Sequence, residues 1–216
     1  DALRAQGAVL VDITDDGFDR STMGQAELTV LISDLRDDLN AYLGDLPGHL
    51  TEVPRSLEAV IAFNRAEPRE LRWFGQRLFE QAAATQGRAS PGYAEARATS
   101  LRLAGAEGID RLLRTHNVAL LVAPSGGPAW SIDLVNGDHF TGPSMTDLPA
   151  IAGYPHLTVP MGAIEGLPIG LSFIGTRWDD ARVLFAGHDF ELATRDWRPV
   201  PSWRARLDAA APLPTP

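Results

Sequence analysis

A chain of 216 residues that is 44% hydrophobic and 22% charged has enough apolar side chain to fold, and its composition is not that of a disordered segment. Its net charge of −9 disfavours nucleic acid and anionic membrane as partners, because both need a clustered positive face. There is no cysteine and all 19 basic residues are arginine, so disulfides, thiolate metal sites, cysteine nucleophiles and lysine-dependent mechanisms are excluded within it.

The opening "DALRAQGAVLVDIT" reads as a helix end, a terminating Gly7 and a β-branched strand from about Val9 to Thr14. The helix has no visible beginning, so the residues predict a chain cut from something longer. Ser21 or Thr22 is expected to cap a long helix in which Leu31, Leu35, Leu39 and Leu43 repeat at every fourth position, with Asp34, Asp37 and Asp38 on other faces and Gly44 at its end.

Three amphipathic segments follow: "SLEAVIAFNRAEP", "PRELRWFGQRLFEQAAAT" and "SPGYAEARATSLRLAGAEGIDRLLRTHN". Pro68 should end or kink the helix between the first two. Ser90 and Pro91 are expected as the cap and first helical residue of the third. Arg65, Arg69, Arg72 and Arg77 bunch on one predicted helical stretch. Glu67, Glu70 and Glu80 are interleaved, which predicts a solvated, ion-paired face.

Beyond Asn117 the period changes. "VALLVAP" is a short continuous apolar run, the pattern of a strand buried on both faces. Residues 124–143 form a long loop, of a length usually functional or disordered, and its Trp130 and Phe140, beside two aspartates, favour function. "SMTDLPAIAG" supplies a short helix capped at Ser144 or Thr146. "HLTVPM" and "LPIGLSFIG" are strands of a hairpin, with "GAIEG" as its turn and Pro160 and Pro168 at strand ends. "DDARVLFAGHDFELATR" closes as a helix capped by Asp179 or Asp180, and residues 209–216 are a frayed Pro-rich tail. Residues 1–216 read as a single domain or a fragment, with an α/β fold of a mixed β-sheet core flanked by helices.

Nothing approaches the ~18 consecutive apolar residues of a membrane helix, and the start is not signal-like. A cytoplasmic location is the expectation, a signal peptide ahead of Asp1 staying open. No cofactor is expected: "SGGP" is not followed by a lysine-bearing helix, and no G-x-G-x-x-G follows a strand.

Ser125 in "APSGGPAW" is a tempting nucleophile, yet it fails the G-x-S-x-G elbow because Pro124 precedes it and Gly126 follows. A triad of Ser125, His139 and Asp138 or Asp133 can be assembled on paper. Metal ligation by Asp133, Asp138 and His139 matches no zinc or calcium spacing. His49, His116, His156 and His188 are scattered, and each reads as a solvated or hydrogen-bonded histidine.

"VALLVAPSGGPAW", "HFTGPSMTDLPAIAGYPHLTVPMG", "GLPIGLSFIGTRWDDARVLFAGHDFELAT" and, at the front, "LRAQGAVLVDI" resemble the C-terminal portion of the amidase signature family. "TVPMG…GLPIGLSFIG" is the most specific piece. "LNAYL", "VIAFN" and "WFGQRLFEQA" are similar to a bacterial branch related to peptide amidases, and the resemblance runs from about Leu3 to Trp203.

The resemblance implies the C-terminal part of that family's fold, in an enzyme cleaving a carboxamide to an acid and ammonia. It implies a serine nucleophile, a second serine on a cis peptide and a lysine, all in an N-terminal half. None of these roles maps onto this chain, so no catalytic residue is assigned and the chain alone is expected to be inactive. The implied partners are a small-molecule or peptide amide and the N-terminal catalytic half, and a homo-oligomer is compatible. Trp130, Asp133, Asn136, Asp138 and Phe140 are the expected substrate-side wall, a purely structural loop being the other interpretation. A non-catalytic binding or assembly module and a self-contained hydrolase using Ser125 are the alternatives.

Overall fold

The computed structural model describes residues 1–140, 142 and 144–194. The tail expected at 209–216 lies outside the described residues, as does Trp203. The chain divides into two compact units, one joining Asp1–Asp15 to the residues from Ile109 on, the other Asp16–Gly108.

The first unit opens with α1 (Ala2–Ala5), and Gly7 follows at φ +88°, the left-handed exit expected of a terminating glycine. The expected strand at Val9–Thr14 is not formed. Val9 is 87% exposed and the segment pairs with no described strand. β-branched residues favour an extended backbone, but a strand exists only where a neighbour completes its ladder.

In the second unit, α2 (Arg20–Gly44) begins ahead of the expected caps because Asp19 intervenes, its carboxylate accepting the Thr22 N–H at 3.0 Å. Leu35 and Leu39 pack inward, but Leu31 is 55% exposed. Steps of four residues advance 400° on a 3.6-residue helix, so such a stripe drifts off the buried face. At the other end, the Arg55 guanidinium donates to the carbonyls of Leu46, Pro47 and Leu50 at 2.5, 2.9 and 2.6 Å, holding the chain as it leaves α2.

α3 (Leu57–Ala66) is capped by Ser56, whose hydroxyl accepts the Ala59 N–H at 3.1 Å. It stops where Pro68 requires, with Glu67 extended at ψ 106°. α4 is confined to Arg77–Ala84, so the four arginines do not share one helix. Arg65 still pairs with Glu80 and Arg69 with Glu67, at 2.7 and 2.8 Å. The small core between α2, α3 and α4 is built on Leu57, Ile61 and Ala82, with Ile32, Leu35, Leu39 and Phe79 around it.

α5 (Tyr93–Ala104) starts later than expected. Gly92 is its N-cap at φ +83°, while the Ser90 hydroxyl instead accepts the Gln86 N–H at 3.0 Å. Arg88 binds Asp34 and Asp38 of α2 at 2.7 Å each, and Tyr93 donates to Asp34 at 2.8 Å, so the acidic face of α2 anchors this corner.

A π turn at Gly105–Ile109 leads into α6 (Asp110–His116), which ends at left-handed Asn117. Three antiparallel strands follow in the order β1-β3-β2: β1 (Leu121–Pro124), β2 (His156–Ile164) and β3 (Leu167–Ile174). β1 is not buried on both faces. Val122 is 38% exposed, because β1 sits at an edge of the described sheet.

The hairpin forms with a tighter turn than expected, only Glu165 and Gly166 at φ +50° and +79°, which leaves Gly162–Ile164 in the strand. Pro160 therefore lies within β2 rather than at its end, tolerated because a bulge between Pro160 and Gly162 interrupts the ladder there. α7 (Asp147–Ala152) has Thr146 at its N-cap position and ends in left-handed Gly153. α8 (Asp180–Thr194) lays Val183, Gly187 and Phe190 on the sheet, against Leu157, Val159, Leu171 and Phe173.

Candidate functional site

Strand register sorts the side chains of the sheet into two faces. Leu157 opposes Phe173 and Val159 opposes Leu171, and these four form the apolar face under α8. The alternate positions put Thr158 opposite Ser172, and Ser172 opposite Ala123, on the other face.

There a chain of hydrogen bonds links β2, β3 and the residue that follows β1. His156 Nε2 lies 2.7 Å from Ser172 Oγ, Ser172 Oγ donates to Ser125 Oγ at 2.8 Å, and Ser125 Oγ lies 2.5 Å from Thr158 Oγ1. Ser172 is fully buried, and burial depresses the His156 pKa, which favours the neutral ring. Gly170 makes room for the cluster, since a Cβ there would stand 2.5 Å from Thr158 Oγ1 and 3.0 Å from Ser125 Oγ.

Ser125 is also where the sheet hands over to the long loop. Its N–H donates to the Gly170 carbonyl at 2.8 Å, and its carbonyl accepts from Ser144 Oγ at 3.3 Å, at the loop's far root. Between these roots lie the five expected wall residues, in two bonded groups, Asp133 with Asn136 and Trp130 with Asp138 and Phe140. Asp133 Oδ1 accepts the N–H groups of Val135 and Asn136 at 2.8 Å each, and Oδ2 accepts the Asn136 side-chain amide at 2.8 Å. Those donors, Asn136 first, hold the Asp133 carboxyl down to about 2. Trp130 Nε1 donates to Asp138 Oδ1 at 3.3 Å, and the Trp130 and Phe140 ring centroids are 4.7 Å apart.

The paper triad is not assembled by these contacts. His139 faces Asp133 at 3.6 Å, Asp138 is taken by Trp130, and Ser125 is engaged by Ser172 and Thr158. The imidazole that reaches Ser125, through Ser172, is His156, which scattered histidines in the sequence did not single out. The signal available was the spacing of His156 and Thr158 on β2, two residues apart and therefore on one face.

A second polar junction stands nearby in the chain. Tyr154 donates to Asp110 Oδ2 at 2.7 Å and Thr176 to Asp110 Oδ1 at 2.6 Å. Burial, then the Asp110 hydrogen bond, pushes the Tyr154 phenol up to about 12. Among the described residues, no group of three or more His, Asp or Glu is placed to hold a metal ion. No described helix is long and apolar enough to cross a membrane.

No family model matches the chain. A solved structure of a peptide amidase in complex with the competitive inhibitor chymostatin is 42% identical, with a TM-score of 0.80, over 92% of this chain and 39% of that one. The native peptide amidase from Stenotrophomonas maltophilia is 40% identical, with a TM-score of 0.77 and the same coverage. A probable amidase of Arabidopsis thaliana is 28% identical over 89% of this chain and 34% of its own length. The chain thus spans less than half the length of each.

Proposed function

Because the chain belongs to the amidase signature family, matching the C-terminal part of its longer members, we propose that it forms the substrate-side part of an amidase. The whole enzyme would hydrolyse a carboxamide, adding water across the C–N bond to give a carboxylate and ammonia. A serine–serine–lysine relay supplied by an N-terminal catalytic half would activate the nucleophile, and backbone N–H groups would hold the oxyanion. The observation that carries this reading is the 42% identity over 92% of the chain to a peptide amidase, joined to a sequence that holds no lysine of its own.

Within that enzyme the loop from Trp130 to Phe140 would be one wall of the substrate pocket. Its two rings, tilted 55° to each other, offer an apolar surface, and Asp133, Asn136 and Asp138 hold the shape from within the loop. A peptide amide is the favoured substrate class, on the names of the two solved relatives, and a cytoplasmic location is part of the same proposal. The test is ammonia release from a blocked dipeptide amide. The purified chain should release none. The chain combined with an N-terminal segment carrying the serine–serine–lysine set should release ammonia. Turnover by the chain alone would overturn the division of labour.

A further inference from the structure

We propose that Ser172 and His156 are positioning residues for the loop that follows β1, acting through Ser125; its bearing on substrate rests on the reading of that loop as a wall. Ser125 is the loop's first residue, and each of its polar groups is engaged. The N–H binds Gly170, the carbonyl accepts from Ser144, and the hydroxyl meets Ser172 and Thr158. Ser144 stands 19 residues further on, at the opposite root. The two ends of the loop are thus joined to each other, and Ser125 is joined to the sheet through the hydroxyls of Thr158 and of Ser172, the latter fully buried.

His156 closes the inner end of the chain. With Nε2 2.7 Å from Ser172 Oγ, the imidazole can donate to that oxygen, which leaves the Ser172 hydrogen directed at Ser125. Removing the His156 ring leaves the buried Ser172 oxygen without its donor, and removing the Ser172 hydroxyl takes from Ser125 one of its two hydroxyl partners. The hairpin itself depends on other contacts. Its ladder is backbone, and its apolar face packs under α8, away from this chain of hydroxyls. Loss of the Ser172 hydroxyl should therefore loosen the loop without opening the hairpin.

Hydrogen exchange read by mass spectrometry on the 216-residue chain tests this. In Ser172→Ala, amides of residues 126–140 should exchange about fivefold faster, the equivalent of one hydrogen bond, while β2 and β3 amides stay unchanged. His156→Phe should act in the same direction, and His156→Gln, which retains an N–H donor, should remain near the parent. Unchanged loop exchange in Ser172→Ala would overturn the proposal, and so would equal acceleration in β2 and β3. If Ser172→Ala does not fold, His156→Phe carries the same test, its ring being only half-buried. Affinity for a blocked dipeptide amide reads the wall separately: a looser loop with unchanged affinity upholds the positioning role and removes the wall.

Discussion

Gly187 of α8 lies so close to Leu157 of β2 that a Cβ on the glycine would meet Leu157 Cδ2 at 2.2 Å. This contact sets how near the helix comes to the sheet. Gly187→Ala must push α8 outward or drive Leu157 from its rotamer, at a cost of about 1–3 kcal/mol. Thermal or urea unfolding checks this, and adding Leu157→Ala, which clears the obstructing methyls, should recover part of the loss.

Asp110 is the shared acceptor for Tyr154 and Thr176. Asp110→Ala strands both hydroxyls and should destabilise by about 1–3 kcal/mol, more than Tyr154→Phe, which leaves the Thr176 bond intact. Alkaline titration of the Tyr154 phenol followed by absorbance should show its midpoint move down from about 12. The move should be partial, because burial is the larger cause of the elevation and remains.

His156 gives the chain an acid-side dependence. Its pKa is depressed below the ordinary 6.5 by burial, so the unfolded chain binds the proton more readily than the folded one. The stabilisation is complete above 6.5 and is lost as pH falls from there through the lowered folded value. Urea midpoints should therefore decline across that window, and the His156→Gln variant should show a flatter profile.

Trp130 and Phe140 form the exposed surface of the proposed wall. Truncating an aromatic anchor of a binding surface commonly costs more than 1 kcal/mol. Trp130→Ala should therefore weaken binding of a blocked dipeptide amide by roughly tenfold, with the melting temperature little changed. Equal affinity in calorimetry would count against the wall.

The described surface carries apolar side chains that a stable monomer rarely displays together. Val9, Val135, Phe140, Trp178 and Phe185 are each at least 69% exposed, and Ile132 is 76% exposed. Strand edges β1 and β2 add unpaired backbone within the described sheet. Light scattering after size-exclusion should show self-association that grows with protein concentration. A single monomer peak across that range would refute it.

Much of the local structure was legible in the residues. Gly7 sits at a left-handed helix exit, Pro68 lies just past the end of α3, and the spacing around Glu165–Gly166 marks a hairpin. Local backbone preference decides these features, and it is written in neighbouring residues. The turn at Asp133 was legible too, since Asp and Asn turn chemistry acts over two or three positions.

The His156–Ser172–Ser125–Thr158 chain was not legible, and neither was the failure of Val9–Thr14 to become a strand. Both depend on which strand lies beside which, and in what register. Thr158 and Ser172 meet because β2 and β3 pair as they do, and a one-residue slip would send them to opposite faces. By itself the sequence determined the helices, the turns, the family likeness and the absence of a lysine. Only the tertiary structure decided which hydroxyls share a hydrogen-bond chain, because that requires groups 16 to 47 residues apart to be held within 3 Å.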